Sequence, residues 1–226
     1  MFSENLNIVK KNISDALNQT GKSINDIKLV AVSKTKPVEI ILEAYNLGLR
    51  DFGENKAKEL KAKSAELPKD IHWHFIGHLQ RNKVKEVIPV AELIHSVDSI
   101  KIAGEINKRA NAIGKVQKIL IEVNTSEEET KFGLSTVEQV NEVAHFCNEA
   151  SNLNLCGLMT MAPFTGNEKI LRNCFIKLRE MKENLNSNGF NLKELSMGMT
   201  NDYEIAIEEG ATIVRIGTAL FGKRNY

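Results

Sequence analysis

A lysine at the end of an apolar run is the first residue of this chain whose setting suggests chemistry. Leu29-Val30-Ala31-Val32 leads directly into Ser33-Lys34-Thr35-Lys36-Pro37. Four apolar residues without polar alternation read as a strand buried on both faces, as in a parallel sheet. An ammonium at the end of such a strand is costly unless the amine is used. On a strand, Lys34 and Lys36 project to the same side, and each disfavours the charge on the other. A less charged amine attacks carbonyls better, which is what Schiff-base chemistry needs. The plainer reading puts both lysines in solvent just past the strand.

Two glycine-containing stretches near the C-terminus suit an anion. They are Ser196-Met197-Gly198-Met199-Thr200 and Ile216-Gly217-Thr218. Gly198 and Gly217 let backbone amides come close to a phosphate, and Ser196, Thr200 and Thr218 add hydroxyl donors. The plainer reading is two tight turns. A reactive lysine beside a phosphate pocket fits pyridoxal 5'-phosphate (PLP) as cofactor, or a Schiff-base aldolase acting on a sugar phosphate. Residue chemistry alone leaves both open.

The elements that must position these residues alternate regularly. Residues 3–19 fit an amphipathic helix with Leu6, Val9, Ile13 and Leu17 on one face. A strand over about 27–34 follows, then a helix after Pro37. Six more apolar runs, each leading into a turn, come next: 50–55, 71–77, 93–98, 116–124, 153–159 and 194–199. Helical patterns follow them at 56–66, near 80–87, 99–112, about 135–149, 168–187, and from Asn201 to Gly210. The last run, 212–218, ends in a short turn to Phe221. Eight strand–helix units without a linker predict an α/β fold: a single (β/α)₈ TIM-type barrel over 1–226 with an extra N-terminal helix. A doubly wound open sheet is the runner-up, weakened because no Gly-x-Gly-x-x-Gly follows any strand. The barrel's C-terminal strand ends would carry Lys34, Asn55, His74 to Gly77, Asn124, Met159, Ser196 to Met199 and Arg215 to Thr218. Closure of strand eight on strand one would bring Arg215 near Lys34.

Composition narrows the class. Lys plus Arg number 30 and Asp plus Glu 29, a net charge of +1, which argues against nucleic acid or an acidic membrane as partner. No apolar run approaches membrane-spanning length, and the N-terminus carries charges throughout, unlike a secretory signal. Cys147, Cys156 and Cys174 show no Cys-x-x-Cys and read as reduced thiols of a cytoplasmic protein. His72 and His74 share a strand face but lack a third metal ligand. His78, the basic run Arg81, Lys83 and Lys85, and the acidic run Glu127 to Glu129 read as solvated.

Six motifs carry a resemblance. Ala31-Val32-Ser33-Lys34-Thr35-Lys36-Pro37, Phe52-Gly53-Glu54-Asn55, His74-Phe75-Ile76-Gly77-His78-Leu79-Gln80, Gly157-Leu158-Met159, Leu195-Ser196-Met197-Gly198-Met199 and Val214-Arg215-Ile216-Gly217-Thr218 occur in order along the chain. Together they resemble the pyridoxal phosphate homeostasis protein family. The resemblance implies an alanine-racemase-like barrel, PLP fold type III, with PLP held as an internal aldimine on Lys34. It implies phosphate-binding turns at Ser196 to Met199 and at Gly217 and Thr218, and Arg215 facing the pyridine nitrogen. Asn55 would lie in the pocket wall, and Met159 and Ile216 complete the cofactor-binding set. Thr200 stands where a serine is frequent.

An arginine keeps its charge and accepts no hydrogen bond, so it favours a neutral ring nitrogen and a weak electron sink. Racemases on this fold add a β-rich second domain that supplies an opposing acid–base group. Here the sequence ends at Tyr226, eight residues after Thr218, and none of Tyr45, Tyr203 and Tyr226 is placed as a second base. The expectation is a cytoplasmic, monomeric PLP-binding protein. It would buffer the cofactor or hand it to PLP-dependent apoenzymes, without catalysis of its own. An amino-acid racemase is the alternative, and a pure interaction scaffold the third reading.

Overall fold

A computed structural model describes residues 2–18, 20–126, 128 and 131–222. Glu127, Glu129 and Tyr226 lie outside the described residues. The order is α1 (Phe2–Leu17), β1 (Lys28–Val32), α2 (Val38–Asn46), β2 (Asp51–Glu54), α3 (Ala57–Glu66), β3 (His72–Phe75), α4 (Val84–Val87), β4 (Ala91–Val97) and α5 (Ile100–Asn111). Then come β5 (Gln117–Glu122), α6 (Val137–Glu149), β6 (Leu153–Met159), α7 (Glu168–Ser187), β7 (Glu194–Ser196), α8 (Tyr203–Glu208), β8 (Ile213–Ile216) and α9 (Thr218–Phe221). The eight strands close in sequence order into a parallel barrel, the predicted architecture. Closure is direct: β1 pairs with β8 in the register Val30↔Arg215.

The unbroken apolar runs follow from this closure. Each strand has one face on the barrel axis and the other under the helices, so apolar residues dominate both. Val30, Leu93, Leu120, Met159 and Ile213 fill the interior. A larger layer, including Ala31, Phe52, Ile94, Ile119 and Val214, packs against the helices.

Some ends differ from expectation. The first strand stops at Val32, so Lys34 lies in a turn and strand alternation does not extend to Lys36. The capping position of helix α8 is Asp202, one residue after the expected Asn201, and the Asp202 carboxylate accepts the Met199 N–H rather than an N–H of the helix.

Helix α1 lies in the outer layer against α8 and α9. Leu6, Val9, Ile13 and Leu17 are buried there, as their spacing predicts. The Phe2 and Phe221 rings stand 5.0 Å apart, and Asn5 Nδ2 donates to the Leu220 carbonyl at 3.0 Å. Asn12 Nδ2 donates to the Tyr203 hydroxyl at 3.1 Å. Ile13→Ala should destabilise the protein by about 3 kcal/mol, read from the urea midpoint, because it empties a buried site in the core.

Candidate functional site

The C-terminal strand ends surround a cleft of about 430 Å³. Lys34, Asn55, Arg215, Gly217 and Thr218 line it, as do His78, Glu122 and Thr200. Met159, Ser196, Gly198 and Ile216 are buried outside this lining. Met159 packs into the barrel interior, Ser196 bonds inward, and Ile216 belongs to the helix-facing layer. His78 is exposed, as its loop position predicts, and it also stacks on Phe132 at 4.0 Å with its Nδ1 3.3 Å from Asp98 Oδ2.

The turn that presents Lys34 is fixed from below. Thr35 has φ +66°, a left-handed conformation uncommon for a branched side chain. Its N–H donates to Glu59 Oε2 at 3.0 Å, and the Lys36 N–H closes the turn on the Ser33 carbonyl at 3.0 Å. Lys36 does not sit beside Lys34 as a like charge on one strand face. Its Nζ donates to the Phe221 carbonyl at 3.0 Å, at the end of α9.

Beneath the turn lies a buried ion pair. Lys63 Nζ reaches Glu54 Oε1 at 2.7 Å and the Ser33 carbonyl at 2.9 Å, and Ser33 Oγ donates to Glu54 Oε1 at 2.6 Å. Burial raises the Glu54 pKa, opposed by the bonds from Lys63 and Ser33. The sequence shows these residues, but only folding brings α3 under the end of β1.

Arg215 heads a longer chain. Its Nη1 donates to Ser196 Oγ at 2.5 Å and its Nη2 to the Thr160 carbonyl at 2.9 Å. Ser196 Oγ lies 2.9 Å from His95 Nδ1, His95 Nε2 2.9 Å from His74 Nδ1, and His74 Nε2 2.9 Å from Asp51 Oδ1. Burial lowers both histidine pKa values, and for His95 the neighbouring His74 and Arg215 add to it. Burial raises the Asp51 pKa, but the hydrogen bond from His74, helped by Lys28 and His72, outweighs it, so Asp51 is held ionised.

Proton positions follow from both ends. A carboxylate only accepts, so His74 Nε2 carries the hydrogen and Nδ1 is bare. His95 must then donate through Nε2 and accept on Nδ1 from the Ser196 hydroxyl. That hydroxyl oxygen accepts from Arg215, which only donates. The donors therefore all point one way, from the cleft through the barrel to Asp51 at the start of β2.

The turns after β7 and β8 form one surface. Gly198 has φ +92°, and a Cβ there would lie 2.7 Å from Ala206 Cβ, so the turn requires glycine. The Ala219 N–H donates to Thr200 Oγ1 at 3.3 Å, joining the two turns. The N–H groups of Thr200, Gly217 and Thr218 find no acceptor among the described residues. Gly217 is different from Gly198: a Cβ there would meet Val32 at an ordinary 3.4 Å. Packing does not demand glycine at this position, but an approaching ligand would.

Two measurements test this geometry. Long-range ¹H–¹⁵N spectra should show His74 and His95 as neutral Nε2–H tautomers at pH 7; an Nδ1–H signal from either reverses the chain. Lys63→Met should cost about 3 kcal/mol in urea unfolding at pH 7, because it strands the Glu54 carboxylate. Burial favours protonated Glu54, so this deficit should shrink as pH falls.

Known proteins place the chain. Residues 5–225 match the family model described as alanine racemase, N-terminal domain. A pyridoxal phosphate homeostasis protein of Aquifex aeolicus is 47% identical over 99% of this chain and 98% of its own. The protein of that name from Pseudomonas aeruginosa is 40% identical over 100% and 96%. The structure of PipY from Synechococcus elongatus with PLP bound superposes with TM-score 0.82 at 33% identity, covering 93% of this chain and 100% of that one. An alanine racemase of Clostridium difficile shares the fold, with TM-score 0.78 at 17% identity, and this chain spans 57% of its length. The chain belongs to the pyridoxal phosphate homeostasis protein family, on the barrel of the alanine racemase N-terminal domain.

Proposed function

We propose that this chain is a single-domain carrier of PLP that holds the cofactor as a Schiff base on Lys34 and serves intracellular PLP homeostasis in the cytoplasm, by buffering or handing over the cofactor. The observation that carries the reading is that one cleft joins an amine, a donor-only arginine and a rim of unpaired amides. PLP supplies an aldehyde, a phosphate and a pyridine nitrogen, and the donor set fits each. Lys34 offers the amine for the aldehyde. The N–H groups of Thr200, Gly217 and Thr218, with the hydroxyls of Thr200 and Thr218, suit the phosphate. The space above Gly217 lets an anion lie close to the backbone. Arg215 would donate to the ring nitrogen and leave it unprotonated. Asn55 lines the wall, while Met159, Ser196, Gly198 and Ile216 support the pocket from behind. The names of the relatives and the PLP in the PipY structure support the same assignment.

The carrier reading involves no catalysis. Of the tyrosines a racemase could use as a second base, Tyr203 is buried against α1 and Tyr45 bonds Asp70 on the outer surface, so neither reaches the cleft. Among the described residues no helix is long and apolar enough to cross a membrane. A monomer contacting recipient apoenzymes transiently completes the reading.

Borohydride reduction of the purified protein should fix a PLP adduct that peptide mapping assigns to Lys34, and Lys34→Ala should lose both the near-visible absorbance and the adduct. An adduct on Lys36, or covalent PLP in Lys34→Ala, refutes the assignment. Turnover of D- or L-alanine that Lys34→Ala abolishes would replace the carrier with an enzyme.

A further inference from the structure

The cleft has an acidic end that the carrier reading leaves unused. Glu122 closes β5 and is 3% exposed. Its carboxyl lines the cleft, and no donor among the described residues reaches it. Asp98, just past β4, is close enough for its charge to oppose the ionisation of Glu122. Asp98 is itself held by His78 and by Ser99 Oγ, which donates at 3.2 Å. The other charged groups lining the cleft are Lys34, Arg215 and Asp202. Arg215 already gives two of its N–H groups to Ser196 and Thr160. Burial and Asp98 push the Glu122 carboxyl up to about 7, with Arg215 opposing. A buried carboxylate without a partner is expensive, and a cationic ligand would remove that cost. The cleft is thus uneven: donors line the turns after β7 and β8, where the Asp202 carboxylate already accepts from Met199, and Glu122, with Asp98 next to it, stands at the ends of β4 and β5.

We infer that Glu122, backed by Asp98, is the receiving site for the ammonium group of a primary amine, and that Glu122 takes the proton such an amine must lose before its nitrogen can attack a carbonyl. The transfer balances by itself. The ammonium N–H bond breaks, its proton joins a Glu122 carboxylate oxygen, and a neutral amine and a carboxylic acid remain. The charge pattern selects the amine. An α-amino acid carries a carboxylate beside its ammonium and would set that charge against Asp98 and Glu122. A lysine side chain carries none, so a lysine-type ammonium is the ligand class. This rests on the carrier reading, in which bound PLP leaves Lys34 for another amine.

The test follows the Glu122 carboxyl by ¹³C NMR in the glutamate-labelled protein, assigned through Glu122→Gln, with Nα-acetyl-L-lysine methylamide and L-alanine as probes. The lysine analogue should shift the Glu122 signal saturably and lower its titration midpoint, because a bound cation favours the ionised form. Glu122→Gln should weaken that binding about tenfold or more, and Asp98→Asn should also weaken it. L-alanine should leave the signal in place. The inference is overturned if the analogue leaves Glu122 unmoved, binds Glu122→Gln equally well, or is outbound by L-alanine; the last result points to an amino-acid substrate. Borohydride mapping of the unaltered protein is read separately. A missing Lys34 adduct would sink the carrier reading while the NMR result stands.

Discussion

A guanidinium has only hydrogens to offer. Once Arg215 is buried at the mouth of the barrel, every group bonded to it must accept, and this constraint runs through the rest of the site. It sets the Ser196 hydroxyl, which sets His95, which sets His74, which ends on the Asp51 carboxylate. The barrel interior there is not apolar filling. It is an ordered line of dipoles in a medium where an unmet polar atom is costly. Burial weakens the hold of Arg215 on its proton, to a pKa of about 10, against the opposing charges of Asp202 and Glu122, and the group stays protonated at neutral pH. In the proposed carrier reading, a donor held this firmly would leave the pyridine nitrogen neutral, which favours retention of a cofactor over withdrawal of electrons through it.

Anchoring and chemistry are therefore separable in this fold. The parts that would grip PLP come from the two ends of the chain's strand order, β1 on one side and β7 and β8 on the other. The relatives that share the whole length are named for homeostasis, while the racemases share the barrel alone.

The proposed anchor was legible because Lys34 breaks a local rule, an ammonium following four apolar residues. Gly198 and Gly217 were legible for a similar reason, and the (β/α)₈ order showed in the alternation of apolar runs and helical patterns. The histidine chain was not legible. Its members are 21 and 101 residues apart, and inward-facing polar residues look like any other residue in an apolar run. The placement of His78 depends on Phe132 and Asp98, which only folding brings to it. The pairing of Lys34 with Lys36 failed because strand periodicity was carried four residues past the strand, across Thr35, which turns the backbone.

The direct pairing of β1 with β8 has a consequence for synthesis. Lys34 precedes its neighbours across the seam, Arg215, Gly217 and Thr218, by more than 180 residues of synthesis. The amine and the phosphate-suited turns cannot meet until β8 has emerged. A nascent chain thus exposes the lysine without its pocket, and the long sequence separation makes closing the seam a slow, late step. Under the proposed carrier reading, cofactor capture waits until the barrel is closed, and a half-made chain does not draw on the supply that the finished protein would regulate.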